Sequence, residues 1–209
     1  MEFEKLKAHP LYQPLLLGIT ALLASAILAW AASATKAAIL EAEARDLRDS
    51  LAQVLPEGFA DNHLLTDSSE VDVGAEKPLR VYRARQGETV KGVVFQVAGF
   101  GYGGEIHLLM AVDTDGSVLG VRVMKHNETP GLGDKIDIAK SDWMNRFSGK
   151  ALDATNSANW AVKKDGGDFD QFAGATITPR AVVKAVKGGL ETFASHKAAI
   201  LGKAQGEQE

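Results

Sequence analysis

The chain of 209 residues has no cysteine. That absence excludes disulfides, thiolate metal sites and a cysteine nucleophile. It also excludes a thiolate-held iron–sulfur cluster and thioether-linked haem, so any electron carried by this chain needs an organic cofactor. Excess positive charge is missing too. The formal net charge is −4 and the acidic residues are scattered without forming a tail, so no nucleic-acid footprint is expected. The five histidines (His9, His63, His107, His126 and His196) fall at no metal-ligand spacing. Asp165, Asp168 and Asp170 surround Gly166-Gly167 but lack the closing glutamate of a calcium loop, so they read as a solvated acidic loop. There is no Gly-x-Ser-x-Gly elbow, no internal repeat and no low-complexity tract.

One long apolar run is present. Leu15 to Ala34 carries no charged residue, with Lys7 and Lys36 as the nearest charges on either side. About 20 apolar residues cross the hydrocarbon core of a bilayer, and Tyr12 and Trp30 stand near the ends, where interfacial aromatics belong. A cleaved signal peptide ending at Ala32-Ser33-Ala34 is the competing reading, but the run is longer than a signal h-region. One retained transmembrane helix is expected within residues 1–35. Lys5 and Lys7 before it are matched by Lys36, Arg45 and Arg48 after it, leaving a mild preference for a cytoplasmic N-terminus. A membrane-proximal helix follows over 36–58. Leu40, Ala44, Leu47, Leu51 and Val54 form a seam at helical spacing, and Pro56 and Gly58 end it. The seam fits the chain's own domain or another subunit equally well.

Residues 59–79 read as loop, broken by Asp61-Asn62, Gly74 and Pro78. Strands are then expected at Arg80–Arg85, Val90–Ala98, Glu105–Val112 and Val118–Lys125, joined by turns at Gln86-Gly87-Glu88 and Asp113-Thr114-Asp115-Gly116. A short helix around Asp142–Phe147 and a longer one from Pro179 follow. Strands in a run and then helices predict an α+β fold with a mainly antiparallel sheet over residues 59–200, and a flexible tail over 201–209.

Three glycine-rich connections stand out. Gly99, Gly101 and Gly104 match G-x-G-x-x-G, but a strand follows where the dinucleotide fingerprint needs a helix. This is a tight bend or a place where backbone approaches a flat ligand. Asn127 to Asp134, with Pro130 followed by Gly131 and Gly133, is neither helix nor strand interior. The third, residues 165–176, runs into Asp170-Gln171-Phe172-Ala173-Gly174-Ala175-Thr176-Ile177-Thr178-Pro179-Arg180, where Thr178 reads as a helix N-cap and Pro179 as the first helical residue. Val182, Val183, Val186, Leu190 and Phe193 then mark one helix face. The hydroxyl of Thr176 would thus stand beside a helix N-terminus, which favours a phosphate; an ordinary capped loop is the alternative. Together the loops could surround one flat, phosphorylated ligand.

Gly101-Tyr102-Gly103-Gly104, Glu128-Thr129-Pro130-Gly131-Leu132-Gly133, Trp160 to Gly167 and Gly174-Ala175-Thr176-Ile177-Thr178 resemble the flavin-binding domain of the G subunit of Rnf-type ion-translocating electron-transport complexes. Related domains occur in the C subunit of sodium-pumping NADH:quinone reductases. The resemblance covers nearly the whole chain, including the apolar run. It implies FMN attached through a phosphoester to Thr176 by a separate flavin transferase. The implied flavin contacts are Gly101, Tyr102, Glu128, Thr129, Gly131, Leu132, Gly133, Lys164, Gly174, Ala175, Ile177 and Thr178. It further implies a single-pass protein of the bacterial inner membrane with its FMN domain on the periplasmic side. That protein would relay electrons between other members of the complex, including the other flavinylated membrane subunit, on a route joining ferredoxin and NAD to ion movement. Two positions depart from the usual signature: Ala173 where Ser or Thr is common, and Gln171 where Gly often follows the aspartate. An equivalent subunit of the quinone reductase, or a flavin-free assembly scaffold, is the alternative.

Overall fold

The computed structural model describes residues 10–202. Lys5, Lys7, His9 and most of the expected 201–209 tail lie outside the described residues. The chain divides into two compact units, Met1–Asp46 and Leu47–Glu209.

Helix α1 spans Tyr12–Val54. Its first part exposes Leu15, Leu17, Leu22, Ile27 and Leu28, and the helix is long and apolar enough to cross a membrane. In lipid every main-chain polar group must be satisfied internally, which a helix does. Within the second unit the end of α1 is core. Leu51 and Val54 are buried with Tyr82, Val94, Leu109 and Ala111. Of the seam read from the sequence, Leu47, Leu51 and Val54 pack on the chain's own domain, while Leu40 and Ala44 are exposed.

Five antiparallel strands form a meander in sequence order: β1 Ser68–Val71, β2 Leu79–Gln86, β3 Thr89–Phe100, β4 Glu105–Asp113 and β5 Val118–Lys125. Side chains alternate between the faces. Val93, Phe95, Leu108, Met110 and Val112 enter one core, against Val182, Val183, Val186, Leu190 and Phe193 of helix α2, Ile177–Ser195. Val94, Leu109 and Ala111 enter the other, beneath the end of α1. Coverage of both faces explains the consecutive apolar residues Val93-Val94-Phe95 in β3 and Leu108-Leu109-Met110-Ala111-Val112 in β4. A short helix α3, Lys197–Leu201, closes the described chain and buries Ile200 and Leu201.

The fold class is the expected α+β arrangement. Two local expectations change. Residues 59–79 are not all loop, since Ser68–Val71 pairs with Leu79–Tyr82 as an edge strand. Only Val71 of its four residues is buried, too short an alternation to stand out among aspartates and serines. Trp143–Phe147 forms a 3-10 turn rather than an α-helix. It belongs to an irregular segment ordered by side-chain packing: Trp143, Phe147, Trp160, Phe169 and Phe172 touch with ring centroids between 4.7 and 6.3 Å apart. The Trp143 indole N–H donates to the Asp170 carbonyl at 2.8 Å. That bond fixes where the chain enters the third glycine-rich stretch.

Candidate functional site

Glu128 joins the three glycine-rich connections. It follows β5, and its side chain is 5% exposed. Gly103 N–H donates to Oε1 at 2.9 Å and Tyr102 N–H to Oε2 at 3.3 Å. The Thr178 hydroxyl, fully buried in the first turn of α2, also donates to Oε2. One carboxylate therefore ties the β3–β4 turn, its own loop and the start of α2. A buried carboxylate tolerates such a position only when its oxygens are well supplied with donors. The His126 ring nitrogen Nδ1 accepts the Glu128 main-chain N–H at 3.1 Å, a local contact that shapes the loop entry.

The glycines make this junction possible by close approach. A Cβ on Gly133 would lie 2.7 Å from Thr178 Oγ1 and 2.9 Å from Glu128 Oε2. A Cβ on Gly101 would stand 2.3 Å from Glu128 Oε1. The 127–134 loop is closed by Leu132 and Gly133 N–H groups, both 3.1 Å from the Thr129 carbonyl. Leu132, 44% exposed, reaches across to Gly174, where a Cβ would be 3.5 Å from its Cδ2. Gly174 has φ +80°, the left-handed region that glycine occupies at little cost.

Helix α2 begins earlier than the sequence suggested. Thr176, not Thr178, holds the N-cap position, and its side chain makes no capping bond. Thr178 lies inside the first turn because Glu128 takes its hydroxyl, a long-range partner that local cap preference does not register. Pro179 remains in that first turn, where an N–H would lack an intrahelical acceptor anyway. Thr176 is half-buried at the helix start. Around it Ile177 is 46% and Tyr102 74% exposed. Thr129 and Gly131 are exposed, and Ala175 is half-buried.

All the expected flavin contacts but Lys164 fall on the three connections that Glu128 unites or beside Thr176. Lys164 is exposed, and its main-chain N–H donates to the Gln171 side-chain oxygen at 3.2 Å. The sequence reading missed Arg180. Its guanidinium holds Asp165 through two bonds of 2.5 and 2.8 Å, which pushes the Asp165 carboxyl below the usual range. Asp170 lies 2.5 Å from both Lys163 and Arg146, and its carboxyl is likewise lowered, chiefly by Lys163. Two of the loop's three aspartates, Asp165 and Asp170, are therefore ion-paired. Arg180 follows Asp165 by fifteen residues, so no local spacing announced the pair.

Comparison with known proteins gives the family. Residues 101–191 match the FMN-binding domain family. A Cereibacter sphaeroides protein, named as the G subunit of an ion-translocating oxidoreductase complex, is 49% identical over 195 residues, 93% of this chain and 89% of that one. Its namesake in Stutzerimonas stutzeri is 46% identical over 180 residues, 86% of this chain and 79% of the other. A crystal structure of Shewanella oneidensis NqrC superposes with a TM-score of 0.46 at 29% identity, covering 68% of this chain and 73% of that chain. At the identity shared with the first two, over most of both partners' length, the chain belongs to the family of G subunits of ion-translocating oxidoreductase complexes.

Proposed function

We propose that this chain is a membrane-anchored electron relay carrying FMN as a phosphoester on Thr176. The observation that carries the reading is the contrast between two hydroxyls. Thr178 is fully buried and donates to Glu128. Thr176 is accessible at the start of α2, with no capping bond. The residues present fit the group: first-turn N–H groups favour a phosphate, Gly174 leaves room beside the attachment point, and Leu132, Ile177 and Tyr102 offer exposed apolar surface. FMN supplies exchange of one or two electrons. The chain's part is to hold it at the mouth of the three-loop junction that Glu128 keeps closed. In the esterification, the task of a flavin transferase, the Thr176 oxygen attacks the flavin-bearing phosphorus of a flavin dinucleotide donor: the Oγ1–P bond forms as the donor's phosphoanhydride bond breaks, the nucleoside monophosphate leaves and the hydroxyl proton goes to solvent.

We further propose that the route joins ferredoxin and NAD, with the FMN domain on the periplasmic side of the inner membrane and neighbouring subunits, one also flavinylated, on either side of the relay. Leu15 to Ala34 contains no ionisable residue, so ion movement belongs to partner subunits. The test is direct. The full chain, co-expressed with the transferase, is denatured, washed and examined for flavin fluorescence and for an FMN adduct on the peptide holding Thr176. Both are expected, and both should vanish in Thr176→Ala. Absence of both from the wild-type chain would leave the flavin-free scaffold. A full load on Thr176→Ala would move the acceptor elsewhere.

A further inference from the structure

We infer that the groove between β3 and α2 receives an extended, carboxylate-bearing segment of another subunit as an added strand. Strands β2 and β3 part early. Their pairing ends at Val81↔Phe95, whereas β3 stays paired with β4 as far as Phe100↔Glu105. The register says which way the uncovered groups point. Gly101 N–H reaches the Gly104 carbonyl at 2.8 Å, and Thr114 N–H reaches the Lys91 carbonyl at 3.2 Å. Odd-numbered residues of β3 therefore bond to β4, and even-numbered ones turn their N–H and C=O the other way. Ala98 and Phe100 thus present main-chain groups where β2 has already left, with no main-chain partner there among the described residues. An uncovered strand edge is a template for another strand.

The space beside that edge is shaped to hold one. The β1–β2 connection swings outward and opens a groove of about 560 Å³ between Val73–Leu79, the end of β3 and one face of α2. The helix floor is flat: Ala181, Ala185 and Gly188 line it. Gly189 faces the sheet, where a Cβ would lie 2.5 Å from Met110 Sδ and 2.8 Å from Val97 Cγ1. Gly188 faces the groove, and a Cβ there would meet nothing within 4 Å. Side chains of an added strand would rest on these small residues, the arrangement of strand-addition recognition. Lys77 and Lys184 are the charged residues of the lining, and no carboxylate joins them. The complement is a segment bearing Asp or Glu. Phe100, 77% exposed, closes one end, two residues before Tyr102 of the three-loop junction. A partner seated here would thus adjoin the proposed relay site. The inference rests on the groove and on membership of a complex-subunit family, not on flavin.

Site-resolved amide exchange tests it, comparing the full chain alone in detergent with the assembled complex. Val97 and Gly99 amides, bonded to β4, should be protected in both. Ala98 and Phe100 amides should exchange fast in the free chain and slow by at least about tenfold on assembly. Equal rates in the two states overturn the proposal. So does protection in the free chain that rises with its concentration, because that assigns the edge to a second copy. A second measurement uses Gly188→Trp, whose side chain enters open space. It should unfold at the wild-type temperature yet recover less of the other subunits on affinity purification, as should the Lys77→Glu/Lys184→Glu double variant. Undiminished recovery with Gly188→Trp overturns the proposal.

Discussion

Replacing Glu128 by glutamine changes one atom at the junction and leaves its volume intact. The carboxylate takes Gly103 N–H on Oε1, with Tyr102 N–H and the Thr178 hydroxyl on Oε2. An amide can present its oxygen to only one of these sides. Whichever way it turns, an NH₂ group faces a main-chain N–H that has lost its acceptor. The Thr178 hydroxyl can rotate to accept; the main-chain donors cannot. A hydrogen bond to a charged group contributes about 1.5–3 kcal/mol, and a stranded buried donor costs about 1–3 kcal/mol. Glu128→Gln is therefore expected to destabilise by about 2–3 kcal/mol, and Glu128→Ala, which strands all three donors, by about 3–5 kcal/mol. Urea unfolding of the full chain in detergent measures both. The double-mutant cycle of Glu128→Gln with Thr178→Val should show a coupling of about 1 kcal/mol, since the two groups share a bond. Glu105→Gln is the control, because Glu105 is about half exposed and pairs with the His107 ring nitrogen at 3.3 Å. If Glu128→Gln costs no more than this control, the carboxylate is not what closes the junction.

Three further perturbations test the fold around that junction. Leu51→Ala should destabilise the domain by about 2–5 kcal/mol, since Leu51 is 1% exposed beneath the sheet; a cost like that of a surface substitution would remove the end of α1 from the core. Gly174→Ala places a Cβ at φ +80° and should cost about 1 kcal/mol or more, visible as a lower urea midpoint. An unchanged midpoint would mean that the turn relaxes freely. Acid should weaken the fold with a definite sign. The carboxyls of Asp134, Asp165 and Asp170 are lowered by Lys140, Arg180 and Lys163, and that of Asp153 by the Thr155 hydroxyl. A lowered carboxyl stabilises above its unfolded value of about 3.9 and loses that contribution as pH falls through the folded value. Urea midpoints should therefore decline below about pH 4, and Arg180→Gln should remove the Asp165 share. Midpoints that hold or rise in that range would contradict the pairing.

The sequence made legible what short spacing encodes. The uncharged run from Leu15 to Ala34, the hairpin turns, and the α2 face of Val182, Val183, Val186, Leu190 and Phe193 each follow from residues a few positions apart. What stayed hidden depends on residues far apart in the chain. Thr178 satisfied the local rule for an N-cap, yet its hydroxyl belongs to Glu128, fifty residues earlier. Arg180 pairs with Asp165, fifteen residues earlier, which no local spacing marks. Segment 134–172 has little regular structure to announce, and its order comes from five aromatic rings that meet only after the chain has turned repeatedly. The same distinction bears on the two threonines. Thr176 and Thr178 are equal in local cap preference, and Pro179, directly after Thr178, favours the latter. The distant carboxylate removes Thr178 from that competition and leaves Thr176 at the N-cap position without a capping bond. The proposed choice of Thr176 as acceptor thus rests on the position of Glu128 after β5. A variant that frees Thr178, such as Glu128→Ala, should be the one in which the acceptor loses its uniqueness.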